Sequence, residues 1–262
     1  MTLKKIPQDH RDAVEVCLTY VAENVTSFDE IVRYRDQLQD EFKNHTILIT
    51  LDNYYQARYT SMHRTNSFGL DDYETLAEQF DIHSDEDYEN LPIDSKFKIR
   101  EINFKHEFVS EESDFETYWL DYEHYDFFRR ANFNPIEVLD QDIFFIVVPV
   151  KDSPLALTAL PNGYFSCDME PNDVYEMSEH LKKAYGYEFY GIGASLLCYQ
   201  KTKSFSETEV NHLIDNFFEI SSMTDDEIEY TEDPVVRKAL EDMIHHHDFL
   251  FLIYADPLIP QK

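Results

Sequence analysis

Ile143-Phe144-Phe145-Ile146-Val147-Val148 is an unbroken run of six apolar residues. A run of that length, rich in β-branched and aromatic side chains, reads as a strand. With no polar alternation, it reads as one covered on both faces. The sheet it belongs to therefore lies inside the fold. Upstream, Thr46-Ile47-Leu48-Ile49-Thr50-Leu51 is a second buried strand. Downstream, Phe189 to Ile192 and Leu196 to Tyr199 form a pair joined by a tight turn at Gly193-Ala194, and Phe249-Leu250-Phe251-Leu252-Ile253-Tyr254 closes the fold.

The intervening segments read mainly as helices. Val14, Cys17, Leu18 and Val21 recur at helical spacing and predict a helix from Asp9 to Glu23. Ser27-Phe28-Asp29-Glu30 is a capping-box pattern that opens a second helix, to about Phe42. Short helical signals follow at Asp71 to Phe80 and Ser113 to Arg130. Lys96 to Phe104, with Phe97, Ile99 and Ile102, reads as a strand. A helix from Asn172 to Tyr185 has Pro171 at its start and Gly186 at its end. Helices near Ser206–Ile220 and Pro234–His245 complete the set. The expected fold class is α/β of mixed α+β type, a central sheet flanked by helices. Asn132-Phe133-Asn134-Pro135 interrupts the pattern, so two closely packed subdomains are expected, 1–135 and 136–262.

Charge limits the function classes. The 262 residues carry 53 Asp and Glu against 22 Lys and Arg, a formal net charge of -31. Residues 71–90, 107–126 and 204–236 hold nine, eight and ten carboxylates without one Lys or Arg. Such a field repels nucleic acid and anionic membranes and attracts cationic proteins. Disorder is excluded by 20 Phe and 18 Tyr, and glycine-rich phosphate loops by the presence of only 5 Gly. The N-terminal stretch from Met1 to Asp12 lacks the apolar core of a signal peptide, and no apolar run approaches the ~20 residues of a membrane helix. Cys17, Cys167 and Cys198 are odd in number and lack a C-x-x-C pair, as in reduced thiols. These features predict a soluble cytoplasmic protein.

The second half carries an ordered set of short motifs. Ile146-Val147-Val148-Pro149-Val150 precedes Asn162-Gly163-Tyr164-Phe165-Ser166-Cys167 and Pro171. Ala184-Tyr185-Gly186-Tyr187-Glu188, Tyr190-Gly191-Ile192-Gly193 and Phe251-Leu252-Ile253-Tyr254-Ala255-Asp256 follow. This order resembles the bacterial family catalogued as domain of unknown function 4253, over residues 142–256. The resemblance implies a bacterial α/β domain and carries no reaction with it. Where relatives have tryptophan pairs, this chain has Tyr164 and Phe165, and Leu252 to Tyr254.

No motif names a reaction, and no cofactor is implied. His245, His246, His247 and Asp248 form the densest set of ligand types, with His245, His247 and Asp248 the metal candidates. Consecutive residues on a helix point about 100° apart, so three adjacent imidazoles cannot converge on one ion, and a solvated helix end is the simpler reading. Cys167 with His180 resembles a nucleophile pair, but Asp168, Glu170 and Asp173 oppose thiolate formation. Gly191-Ile192-Gly193 lacks the rest of a dinucleotide fingerprint. Asp81 to Asp87 lacks the central Gly of a calcium loop. Glu41-Phe42-Lys43 has the form of a nuclease motif but falls on a helix of an acidic chain.

The expected function is therefore binding. An acidic face carrying aromatic anchors docks on a basic protein and blocks it. In a bacterial cytoplasm this describes an immunity protein neutralising a basic toxin such as a nuclease. The candidate partner-binding residues are Trp119, Asp121, Tyr122, Glu123, Tyr125 and Asp126, together with Asp225, Asp226, Glu227 and Glu229. Salt adaptation is disfavoured by 13 Lys to 9 Arg and abundant Phe and Ile. The alternative is a small-molecule-binding protein or enzyme with its site between the two halves.

Overall fold

A computed structural model describes residues 2–109, 124–165, 168–220 and 234–257. Seven strands form one sheet: β1 (Lys4–Lys5), β2 (Leu18–Ala22), β3 (Thr46–Thr50), β4 (Ile143–Val148), β5 (Tyr187–Ile192), β6 (Leu196–Lys201) and β7 (Phe249–Ile253). Their order is β1-β2-β4-β3-β5-β6-β7. β3 and β5 are parallel, and the other pairs are antiparallel. Strands from either side of residue 135 thus interleave. β4 is buried at all six positions, as its sequence dictates.

The helices are α1 (Phe28–Glu41), α2 (Tyr54–Ser67), α3 (Ala77–Phe80), α4 (Asp85–Glu89), α5 (Ile93–Phe108), α6 (Tyr125–Phe133), α7 (Pro171–His180), α8 (Glu207–Ile220) and α9 (Pro234–His246). Strand alternation sorts the layers. Phe145 meets Tyr34 of α1 at 6.3 Å, while its neighbour Phe144 stacks at 4.0 Å on Tyr54 at the start of α2. α1 buries Ile31, Tyr34 and Leu38, and α7 buries Val174 and Met177 against the same core. A π turn, Leu181–Tyr185, extends α7 to Gly186, whose φ of +71° ends it.

Two expected elements are corrected. Asp9 to Glu23 is not a helix: turns occupy 8–16, and β2 follows, paired with β4 from Leu18↔Val147 to Ala22↔Ile143. Lys96 to Phe104 is not a strand but lies within α5, which buries Phe97, Arg100, Glu101, Phe104 and Phe108 at helical spacing. The Ser27 cap is present, but the Glu30 carboxylate reaches back to the Thr26 N–H and hydroxyl, both at 3.0 Å. Of the helix expected over 113–130, the described part is α6; the remainder lies outside the described residues.

The sheet edges are protected. β1 is two residues long, and both are exposed lysines. At β7 the Asn132 amide acts as a substitute strand: Nδ2 donates to Phe251 O at 2.9 Å, and Oδ1 accepts from Phe251 N at 2.8 Å. No helix among the described residues is long and apolar enough to cross a membrane.

Candidate functional site

The helix α2 is inverted. Its inner face carries Tyr54, Ala57, Thr60, Ser61, Arg64 and Thr65, so four of its six buried residues are polar. Its outer face carries Tyr55, Tyr59 and Met62, at i, i+4 and i+7, which are 59%, 51% and 41% exposed. Tyr164 and Phe165, at 40% and 48%, continue this surface. Among the described residues these five make up all but one of the exposed large apolar side chains; the other is Phe133. The rings form a chain: Tyr59 to His63 at 4.4 Å, His63 to Tyr164 at 5.1 Å, and Tyr164 to Phe165 at 5.6 Å. Exposed apolar surface of this kind makes the strip a candidate interaction site.

The polar inner face holds the strip in place. Arg64 Nε donates to Gly163 O at 2.8 Å, and its guanidinium lies 3.3 Å from Glu170. Gly163 has φ +97°, and an added Cβ would overlap the Met169 carbonyl. Thr60 Oγ1 donates to the buried Asn162 side chain, whose Nδ2 donates to Gly193 O at 3.1 Å. Tyr254 Oη donates to the same carbonyl at 2.8 Å. Gly193 in turn packs so closely on Asp52 that no side chain fits there. Asp52 accepts from Ser195 Oγ at 2.7 Å, Ser195 N at 3.1 Å and Leu196 N at 3.1 Å, and burial pushes its carboxyl above the usual range. The amides of Tyr164 and Phe165 both donate to Asp168, at 3.1 and 3.0 Å. The exposed rings thus stand on a buried hydrogen-bonded network, which presents them with little freedom to lose on binding.

Carboxylates border the strip. A 320 Å³ groove beside Tyr55 is lined by Glu23, Asp140 and Asp142. Burial, reinforced by Asp142, raises the Asp140 carboxyl, which accepts from Tyr54 N at 2.8 Å. On the other side, a 240 Å³ cleft runs between α2, α5 and Leu160, with Arg58, Asp71 and Arg100 in its walls.

The sites expected from sequence fare unevenly. Trp119, Asp121, Tyr122 and Glu123 lie outside the described residues, as do Asp225, Asp226, Glu227 and Glu229. Tyr125 is half-buried against the core, and Asp126 is exposed and 3.3 Å from Arg129. His245 is exposed at the end of α9, His247 rests its ring 5.2 Å from Phe133, and Asp248 is exposed before β7. Among the described residues no group of three His, Cys, Asp or Glu is arranged to hold a metal. Cys167 lies outside the described residues, and His180 Nε2 is 2.7 Å from Asn216 Oδ1. Asp81 to Asp87 forms a self-satisfied turn, with Asp87 accepting from His83 N and Ser84 Oγ. The Tyr55–Tyr59–Met62 stripe was the missed signal, visible only once the opposite face of its helix is known to be buried. No family model, curated protein or solved structure matches the chain.

Proposed function

We propose that this chain is an acidic protein-binding module that captures and blocks a basic protein, as a bacterial immunity protein blocks a toxin such as a nuclease. The inverted helix α2 is the observation that carries this reading. Its aromatic residues face solvent beside Tyr164 and Phe165, and Tyr and Phe are among the residues enriched where interfaces close. The charge of -31 selects a cationic partner and steers its approach, while the rings hold it once docked. The motifs of residues 142–256 add a bacterial source to the proposal.

The test is affinity capture from a lysate of the native host at low and high salt, with the double variant Tyr59→Ala, Phe165→Ala as control. A basic protein retained by the parent, weakened by salt and lost in the variant supports the reading. A partner that is acidic, or one held equally by the variant, overturns it.

A further inference from the structure

We propose that the cleft between α2 and α5 is a binding site for a small aliphatic α-amino acid, a reading that shares Met62 with the exposed strip and does not rest on capture of a protein partner. Donors without acceptors are the first observation. Arg100, only 3% exposed, gives Nε and Nη2 to Asp71, at 2.6 and 2.5 Å. Its Nη1 has no hydrogen-bond partner among the described residues, and Arg100 lines the cleft. Arg58 is similar. Nε donates to Ala13 O at 3.3 Å and Nη2 to Glu15 at 2.8 Å, which leaves Nη1. The hydroxyls of Ser61 and Thr65, both in buried residues lining the same cleft, also have no hydrogen-bond partner among the described residues.

Two guanidiniums and two hydroxyls with donors to spare line one open cleft, a set that suits an acceptor-rich guest. A carboxylate fits best, because its two oxygens match the planar spread of guanidinium N–H groups. A bare carboxylate would enter a chain of charge -31 with Glu15 and Asp71 already in the cleft walls. Those two carboxylates and the two guanidiniums sum to zero, so a guest that is itself neutral keeps the balance. An α-amino acid meets both demands, its ammonium facing Glu15 or Asp71 and its carboxylate facing the arginines. Beside Asn66, the rest of the lining is apolar, with Val14, Met62, Ala159 and Leu160 to receive an aliphatic side chain. At 240 Å³ the space falls below the ~300–1,000 Å³ of pockets for drug-sized ligands, which sets the guest at metabolite size.

The experiment is isothermal titration calorimetry of the full chain with four probes: L-leucine, isovalerate, isoamylamine and inorganic phosphate. L-Leucine is expected to bind, with isovalerate and isoamylamine each weaker by about ten-fold or more, since each forfeits one charge-assisted contact. Arg58→Gln and the near-isosteric Thr65→Val, each verified as folded by circular dichroism, should weaken leucine by about ten-fold and several-fold respectively. No heat with leucine, binding unchanged in both variants, or isovalerate or phosphate binding as tightly as leucine would each overturn the assignment. None of those results bears on capture of a protein partner, which the Tyr59 and Phe165 variant reads separately.

Discussion

Gly163→Ala tests whether the aromatic strip is held by the network beneath it. An L residue at φ +97° costs about 1–3 kcal/mol in backbone strain. The new methyl also overlaps the Met169 carbonyl oxygen, so the chain at 163 must move away from 169. That motion pulls Gly163 O from Arg64, and a hydrogen bond to a charged group is worth about 1.5–3 kcal/mol. The expected loss is about 3–5 kcal/mol, against the ~5–15 kcal/mol total of a typical domain, so the variant folds but opens locally. Gly69→Ala is the matched control. Gly69 also has positive φ, at +56°, but the nearest atom to an added Cβ is Asp72 Cβ at 3.6 Å. Strain alone should cost it about 1–2 kcal/mol. Urea denaturation followed by circular dichroism gives both values, and hydrogen exchange locates the opening. Gly163→Ala should raise exchange at Tyr164 and Phe165. If it proves no more destabilising than Gly69→Ala, the network does not fix the strip and the argument from preorganisation fails.

Tyr59→Ala combined with Phe165→Ala should cost about 1–3 kcal/mol of stability, because each ring is about half buried, while partner affinity drops by about 2 kcal/mol or more; a stability loss well above that range would instead make these rings part of the core. Asn132→Ala strips both hydrogen bonds from Phe251 and should cost about 2–4 kcal/mol, with concentration-dependent aggregation through β7 visible by light scattering. Ser206→Ala tests the cap of α8. Ser206 N and Oγ both donate to Glu209 at 2.9 Å, and with Lys203 they hold that carboxyl down to about 2. A depressed folded-state value means its stabilisation is complete above pH 4.5 and lost as pH falls toward 2. The variant should lose about 1 kcal/mol at neutral pH and show a shallower decline across that acid window in urea titrations.

The sheet was legible because its central strands are apolar without interruption, and β4 needed no context. What misled elsewhere was polarity in the wrong place. α5 buries a stripe at 97, 100, 101, 104 and 108, but two of its members are Arg100 and Glu101. With charged residues at buried helical positions, the remaining Phe97, Ile99 and Ile102 mimic a strand. The buried charges are answered far along the chain or one turn away: Arg100 by Asp71, and Glu101 by Lys98 and Lys105, at 2.7 and 2.6 Å. In the 9–23 stretch the reverse occurs. Val14, Cys17 and Leu18 fall at helical spacing by accident, and pairing with β4 draws Leu18-Thr19-Tyr20-Val21-Ala22 into the sheet, overriding the local period. The site was hidden for the same reason as α5, since α2 shows its true orientation only when its polar partners Asn162 and Gly163 are brought from a hundred residues away.

That inversion is also the strongest energetic argument for a partner. Turned the other way, α2 would bury Tyr55, Tyr59 and Met62, each worth about 1.5–3 kcal/mol when fully covered. With Tyr164 and Phe165 also near half exposure, the isolated chain forgoes on the order of 5 kcal/mol of burial. It also carries the desolvation of Thr60 and Arg64, met by hydrogen bonds that serve mainly to fix the 162–165 loop. A sequence selected for stability alone would have little reason to keep this arrangement. A surface that recovers about 5 kcal/mol on association gains roughly three to four decades in affinity from the rings, before any contribution from charge. In the proposed complex charge would then supply the selectivity: the rings would adhere to many surfaces, and a net charge of -31 disfavours acidic ones.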